Sequence, residues 1–308
     1  MTDMLDGLLI SELTAVVDEA IVSFADCLAG QSPKAPLGVL FYGSLLRQCD
    51  PDGILDFYVI TEDYRDFTGN AIIRLMNRVL PPNVRYAEME HKGHLYRAKI
   101  ATLSYKQFMA RTRLKTLDTT IWARFCQPVR LVWVRDPHSA DKILAAVRQC
   151  VVTASVWAAL LGPERAPSEE YWHSLFSHTY KAELRVEKKG RSYNILRNQE
   201  ARYTECLLGA WSAAGISVEC RDGVLEPNIA EHIRRKARAQ WRRIEKWGKP
   251  LNVIRLVKAA FTFENGLSYL LWKIERHTGQ KLQVSEFEKK HPILGLPLIL
   301  WHFRKLGF

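Results

Sequence analysis

The spacing of apolar residues changes between helical and extended several times in the first third of the chain. Apolar positions at i, i+3 and i+4 predict helices, and short apolar runs bounded by turn residues predict buried strands. The predicted order is a helix at 5–29, strands at 37–43 and 55–61, a helix at 66–80 and a hairpin over 84–104 that turns at Lys92-Gly93. This order predicts a small mixed sheet with helices packed against it, an α+β fold.

The middle of the chain is mainly helical by the same criterion. Helical spacing covers 104–124 and 138–162, a short apolar run predicts a strand at 130–136, and Ser168 followed by two acids predicts the N-cap of another helix. The stretch 182–196 then predicts two strands around a basic turn. Two helices followed by such a hairpin resemble a winged-helix arrangement.

The last part of the chain is basic and ends in an apolar tail. Between 229 and 247, seven Lys and Arg residues accompany two acids, with Trp241 and Trp247 among them. A further helix is predicted over 251–277, and 291–308 combines apolar and aromatic residues with a basic end. Because the net charge is +11, we expect an anionic partner: nucleic acid, nucleotide phosphates or acidic lipid headgroups.

Cysteine spacing and the N-terminal sequence bear on location. The six cysteines form no CxxC pair, which is typical of free thiols in a reducing compartment. The first twenty residues are acidic and lack Lys and Arg, which argues against a secretory signal or a mitochondrial presequence. No stretch reaches the roughly 18 to 20 apolar residues that span a bilayer. We therefore expect a cytoplasmic protein, soluble or peripheral on the inner face of a membrane, from a bacterial source.

One short motif carries candidate chemistry. Gly43-Ser44 ends the first predicted strand, and Asp56 lies at the start of the second. A Gly-Ser turn permits close approach to a triphosphate, and a carboxylate on the next strand can hold Mg2+ against the phosphates. Nucleotidyltransferases of the DNA polymerase beta type share this layout but usually have two acids two residues apart, where this chain has Ile54 and Tyr58. The structural alternative is an ordinary turn followed by a strand aspartate.

A longer set of segments resembles one family, the mitochondrial-type phosphatidate cytidylyltransferases, also called CDP-diacylglycerol synthases. LFYGSLLRQCDPDGILDFYVI is similar to that family's Gly-Ser turn, Arg-Gln pair and strand with a single acid. Further similar segments follow in the family's order: HLYRAKI, ARFCQPV, VVTASVWAALLGPERAPSEE, TYKAELRV and KGRSYNIL. The resemblance covers about residues 35–205.

The resemblance implies a role for each similar residue. Gly43 and Ser44 would hold the triphosphate. Asp56 would bind magnesium, and Glu183, where the family has an Asp, would supply a second catalytic acid and metal ligand. The remaining substrate-binding positions would be Lys99, Arg124, Tyr180, Lys189 and Asn194.

Each implied role has a plainer alternative. Glu183 could pair with Lys181 or Arg185 across a strand, and Arg124 could form an ordinary surface ion pair. The basic residues at the tip of the predicted hairpin are usually solvated charge. Leu45 stands where the family commonly has a second glycine, which puts the geometry of the phosphate loop in question.

The resemblance also implies a reaction, in which phosphatidic acid attacks the alpha phosphorus of CTP and releases pyrophosphate at a membrane surface. The alternatives are nucleotidyl transfer to another acceptor, such as an RNA end, a sugar phosphate or a protein, and a non-catalytic scaffold that binds nucleotide or lipid. Discriminating among them requires an assay of the acceptor.

The tail favours an anionic membrane surface over nucleic acid as the partner. Trp301 and Phe303 beside Arg304 and Lys305 suit an interfacial anchor. The alternative is a helix that packs on the core or mediates an oligomer. The predicted units are a nucleotidyltransferase domain at 1–135, a winged-helix-like unit at 136–215 and a basic membrane-contact region at 216–308.

Overall fold

A computed structural model of the chain describes residues 4–46, 53–66, 71–183 and 195–262. Within these ranges the elements are, in chain order, α1 (Met4–Leu13), α2 (Glu19–Gly30), β1 (Gly38–Tyr42), β2 (Ile54–Thr61), α3 (Ala71–Val79), β3 (Asn83–His91), β4 (His94–Ser104), α4 (Tyr105–Arg111), α5 (Trp122–Phe125), β5 (Val129–Val134), α6 (Pro137–Leu161), β6 (Ala166–Pro167), α7 (Ser168–Ala182), α8 (Glu200–Ala213), β7 (Val218–Arg221), β8 (Val224–Pro227) and α9 (Glu231–Thr262). The predicted α+β fold is confirmed.

Five strands form one mixed sheet in the order β3-β4-β2-β1-β5. β2 and β4 are parallel, and the other neighbours are antiparallel. Because side chains alternate along a strand, the two faces of β2 differ. Leu55 and Phe57 pack with α2 on one face, whereas Tyr58 and Ile60 pack with the other helices on the opposite face. Asp56, two residues before Tyr58, therefore lies on the face that most helices cover.

Helix α6 lies at the centre of the helical part and contacts α1, α5, α7, α8 and α9. It is long and apolar enough to cross a membrane by length and composition alone, although the sequence predicted no such stretch. Of its most apolar window, 67% is buried inside the protein. Its apolar residues thus supply the core, where Trp157 packs at 4.9 Å, between ring centroids, from Trp241 of α9.

Helix α9 is one helix that continues through Pro250, where the sequence predicted two separate segments. One face of this helix is buried, and most of the buried residues follow each other at intervals of three or four positions, as expected for a helix packed on one side. They are Arg234, Ala237, Trp241, Ile244, Gly248 and Lys258. At Gly248 an added Cβ would lie 2.3 Å from the carbonyl oxygen of Ala182, so glycine permits the close crossing of α7.

Several predicted elements differ from the structure. The helix predicted at 5–29 is two helices, because the chain leaves helical geometry after Leu13 and Asp18 caps α2 by accepting from Ala20 N. The stretch 104–124 contains two short helices separated by the loop 112–121. In the second case the apolar residues on each side of the break face the same core, so the break leaves the spacing unchanged. In the first, α1 and α2 pack in two different apolar clusters.

The other differences concern α7 and the segment after it. Ser168 is the first residue of α7 rather than its N-cap: Pro167 occupies that position, and the Ser168 hydroxyl lies 2.6 Å from that of Thr204. Most of the predicted basic hairpin, 184–194, lies outside the described residues. The winged-helix assignment and the three domain boundaries therefore stay predictions.

Candidate active site

The Gly-Ser turn and the strand carboxylate lie side by side. Tyr42 pairs with Asp56 across the antiparallel strands β1 and β2, and Gly43 is the next residue. Gly43 has φ +104°, and a Cβ built on it would lie 2.9 Å from Asp56 Oδ2. Glycine therefore meets two requirements at once, a left-handed backbone and room for the carboxylate. Asp56 itself is half-buried.

The residues after Gly43 divide between the two faces of the sheet. Ser44 is exposed and begins a single 3-10 turn that ends at Leu46. Leu45 packs against the apolar cluster beneath α2, on the face opposite Asp56. The leucine at the position of the family's second glycine thus has its side chain away from the carboxylate.

Lys99 belongs to a row of side chains that crosses three strands. It pairs with Asp56 of β2 and with Tyr86 of β3, so the three side chains share one face. In the next row Arg97 Nε lies 3.5 Å from Glu88 Oε1, and the Tyr86 hydroxyl donates to the same oxygen at 2.6 Å. Burial and the bond to Glu88 raise the pKa of Tyr86, which stays a hydrogen-bond donor.

Arg124 of α5 reaches this face from the helical side. Its Nη1 donates to the carbonyl oxygen of Thr120 at 2.5 Å. Burial acts to lower the pKa of Arg124, but the hydroxyl of Tyr58 and the carboxylates of Glu183 and Asp118 are among the neighbours that raise it above its ordinary value. Arg124 therefore stays a cation although it is half-buried. A residue that neutralises phosphate charge must keep its own charge.

Glu183 ends α7 and is buried. The Thr119 hydroxyl donates to its Oε1 at 2.9 Å, and its charge acts on Arg124. The structure thus brings Glu183 into the group around Arg124, whereas its role as a metal ligand stays a prediction. Tyr180, one turn earlier on α7, is buried in the helical core. The predicted substrate-binding residues Lys189 and Asn194 lie outside the described residues.

The loop 112–121 contains a buried acid that no sequence pattern indicated. Asp118 accepts hydrogen bonds from the amide and hydroxyl of Thr120, at 3.0 and 2.6 Å. Arg255 of α9 donates to both Asp118 carboxylate oxygens, one at 3.0 Å, and Arg111 Nε lies 3.4 Å from Oδ2. Burial acts to raise the pKa of Asp118, but Arg255 and Thr120 lower it below its usual value. No local signal could have found this pair, since 137 positions separate its members.

The donor chemistry around Asp56 fits a magnesium ion. Mg2+ prefers oxygen ligands and is often held by one or two carboxylates together with substrate phosphates and water. Asp56 offers a half-buried carboxylate beside a glycine, and Ser44 an exposed hydroxyl. In the described part of the chain, no three His, Cys, Asp or Glu residues are grouped closely enough to hold a metal by themselves. Asp56 would thus hold an ion that takes its other ligands largely from the substrate.

Comparisons with known proteins assign no family. No family model matches the chain, and no curated protein matches it. Among solved structures, it is similar to a nucleotidyltransferase-like protein from Exiguobacterium sibiricum 255-15, with 11% identity and a TM-score of 0.26 over 93% of this chain and 91% of that one. A TM-score this low supports no assignment of activity.

Proposed function

We propose that this chain is a magnesium-dependent nucleotidyltransferase that makes CDP-diacylglycerol and pyrophosphate from CTP and phosphatidic acid. The observation that carries the general activity is the contact at the turn, where the place of a Gly43 side chain is taken by the carboxylate of Asp56. The choice of CTP and phosphatidic acid rests on the six segments similar to the phosphatidate cytidylyltransferases. The two levels of the proposal therefore need separate tests.

The residues on this face have complementary tasks in the proposed reaction. Asp56 holds the metal ion, which when bound offsets charge on the entering and leaving oxygens. Gly43 leaves the turn open to the triphosphate, and Ser44 offers a hydroxyl donor. Lys99 and Arg124 add positive charge on the same face. Because the attacking phosphate is already an anion, charge neutralisation matters more than a general base.

The exposed side of α9 supports the membrane part of the proposal. Arg234 and Trp241 are buried against the protein, so they are not free for a partner. Trp247 is 55% exposed, and it lies among these exposed basic residues of α9: Arg235, Lys236, Arg238, Arg242, Arg243, Lys246 and Lys249. Each basic residue near an anionic leaflet contributes about 1 kcal/mol to binding. The apolar tail at 291–308 lies outside the described residues.

The proposal is tested with labelled nucleotides, magnesium and vesicles that contain phosphatidic acid. We expect CTP to yield labelled CDP-lipid and pyrophosphate. Asp56→Asn should lower the rate by about 100-fold or more and leave the fold intact, because it removes charge at the reacting phosphates. Asp141→Asn, at an exposed acid of α6, is the matched control and should keep the wild-type rate. Near-normal turnover by Asp56→Asn would refute the site.

A second candidate is nucleotidyl transfer to an RNA end. The basic side of α9 with the exposed Trp247 also suits single-stranded nucleic acid, which binds basic grooves and stacks on aromatics. If the same assay, with RNA added, gave labelled RNA and no labelled lipid, the acceptor would be an RNA end. Vesicle binding without turnover of any nucleotide would instead indicate a non-catalytic scaffold.

A further inference from the structure

A group of cations surrounds Asp118 on the face of the sheet that carries Asp56. Arg111 comes from α4, Arg124 from α5 and Arg255 from α9. Three separate elements thus direct guanidinium groups toward one loop. The loop itself contributes the buried carboxylate that Arg111 and Arg255 approach from two sides.

Asp118 does not use all the donors of these arginines. The Nη atoms of Arg255 bond to Asp118, and Arg111 Nη1 bonds to the carbonyl oxygen of Gln107 at 3.3 Å. Within the described ranges, the buried Nε of Arg255 has no hydrogen-bond partner, and the buried Nε of Arg111 makes no hydrogen bond and lies 3.4 Å from Asp118 Oδ2 in an ion pair. A buried charged donor without an acceptor is costly, so Arg255 Nε indicates a place where an acceptor binds, beside the incompletely used donors of Arg111.

The balance of charges in this group also favours the binding of an anion. Arg111, Arg124 and Arg255 face two carboxylates, those of Asp118 and Glu183. Lys258, one helical turn beyond Arg255, adds a fourth positive group nearby. Its Nζ donates to the carbonyl oxygens of Leu80 and Pro82 at 2.7 and 2.9 Å. Burial first, and then Arg255 and Arg111, lower the pKa of Lys258 to about 8.

The cations lie close to the proposed reaction centre. Tyr58 is two residues beyond Asp56 on the same face of β2, roughly 7 Å along the strand. Burial raises the pKa of Tyr58 most, and the charges of Arg124, Asp118, Arg255 and Asp56 all act on it. The two arginines and both acids therefore all lie within electrostatic range of one tyrosine.

We propose that Arg111, Arg124 and Arg255 form a binding site for the phosphate monoester dianion of the acceptor substrate. Asp118 holds Arg111 and Arg255 in fixed orientations, and their remaining donors bind the phosphate oxygens. Planar guanidinium groups suit this task because they bind phosphate with paired N–H donors. Naming the dianion as the acceptor rests on the proposed function, but the binding site does not.

The test measures binding without catalysis. Titration of the full chain with sn-glycerol 3-phosphate, followed by phosphorus NMR, reports the affinity for a soluble phosphate monoester, and CTP is titrated separately. Arg111→Gln and Arg255→Gln should each raise the dissociation constant for glycerol 3-phosphate by about tenfold or more. Arg111→Lys and Arg255→Lys, which keep the charge, replace any glutamine variant that fails to fold and should also bind more weakly.

Arg234→Gln is the matched control for loss of a buried arginine on α9. Arg234 donates to the carbonyl oxygens of Ala159 and Gly162, about 30 Å along the helix from Arg255. It should lower stability and leave the affinity for glycerol 3-phosphate unchanged.

The outcomes separate this site from the proposed function. Selective loss of glycerol 3-phosphate affinity in the Arg111 and Arg255 variants supports the site even if no nucleotide is turned over. Any of three results would overturn the site. They are no binding of glycerol 3-phosphate to the wild-type protein, an equal loss of that affinity in Arg234→Gln, or a loss of CTP affinity alone in the Arg111 and Arg255 variants. The last result would assign the cations to the triphosphate of the nucleotide.

Discussion

Single residues decide whether the turn and the carboxylate can occupy neighbouring space. Gly43 and Gly93 both have positive φ, at +104° and +78°. A Cβ on Gly43 would meet Asp56, whereas nothing lies within 4 Å of a Cβ on Gly93. The two glycines share the conformational requirement and differ only in what surrounds them, so they form a matched pair.

Gly43→Ala should lower the transfer rate by about 100-fold, because the new methyl group displaces the Asp56 carboxylate from its place. Both Gly43→Ala and Gly93→Ala should lose about 1 kcal/mol of unfolding free energy, since alanine is strained at positive φ. Rates from the lipid assay and urea unfolding curves check the two parts. Similar rates for both variants would contradict the role given to Gly43.

At the scale of the element, the close crossing of α9 and α7 depends on a glycine at the point of contact. Gly248 lies against the carbonyl oxygen of Ala182, next to Glu183. Gly7, in α1, is also a helical glycine but is exposed, with nothing within 4 Å of a Cβ. Helix propensity favours alanine at both positions, and packing opposes it at only one.

Gly248→Ala should destabilise the protein by about 2 kcal/mol, because α9 must move away from α7 to admit the methyl group. Gly7→Ala should stabilise it by about 0.5 to 1 kcal/mol through helix propensity alone. Thermal or urea unfolding measures both changes. A stabilising Gly248→Ala would show that α9 does not cross α7 as described.

At the scale of the whole molecule, the charge on α9 has two different uses. Some basic residues hold the protein together, as Arg234 does by donating to Ala159 and Gly162 at the end of α6. Others, such as Arg242, Arg243 and Lys246, are exposed on the opposite side. Only the second set is available to an anionic surface.

Replacing Arg242, Arg243 and Lys246 by Gln should weaken binding to phosphatidate vesicles by on the order of 100-fold at low salt, and less at high salt. Flotation or sedimentation with vesicles measures this. The control replaces the exposed Lys106, Arg165 and Arg221, which changes the net charge equally away from α9. Equal loss in both triple variants would mean that net charge rather than the α9 surface governs binding.

Lys258 makes the global stability depend on pH. Its pKa is about 8 in the folded protein against 10.5 ordinarily, so between these values the unfolded chain holds a proton that the folded one has lost. The free energy of unfolding should therefore rise by about 2 kcal/mol between pH 7.5 and pH 10, relative to Lys258→Met.

Urea unfolding of both proteins at the two pH values checks this difference. Buried Cys126, Cys150 and Cys206 have pKa values that burial raises, so they contribute an opposite slope, but equally in both proteins. An identical pH dependence in wild type and variant would show that burial does not lower the pKa of Lys258.

The sequence by itself determined the features that arise from neighbouring residues. The Gly43-Ser44 turn, the strand that carries Asp56 and the Lys92-Gly93 hairpin were all predicted, because turn preferences and strand periodicity act over a few positions. Local spacing could not show the break before α2, which separates helices that pack in two different apolar clusters, or the continuation of α9 through Pro250.

Only the tertiary structure decided which distant groups meet. Thr119 reaches Glu183 across 64 positions, and Asp118 reaches Arg255 across 137, at distances that no spacing rule covers. The basic run of α9 likewise looks uniform in sequence. Packing against α6 turned Arg234 inward and left Arg242 exposed, because a helix in contact with a core presents one stripe to it and the other to solvent.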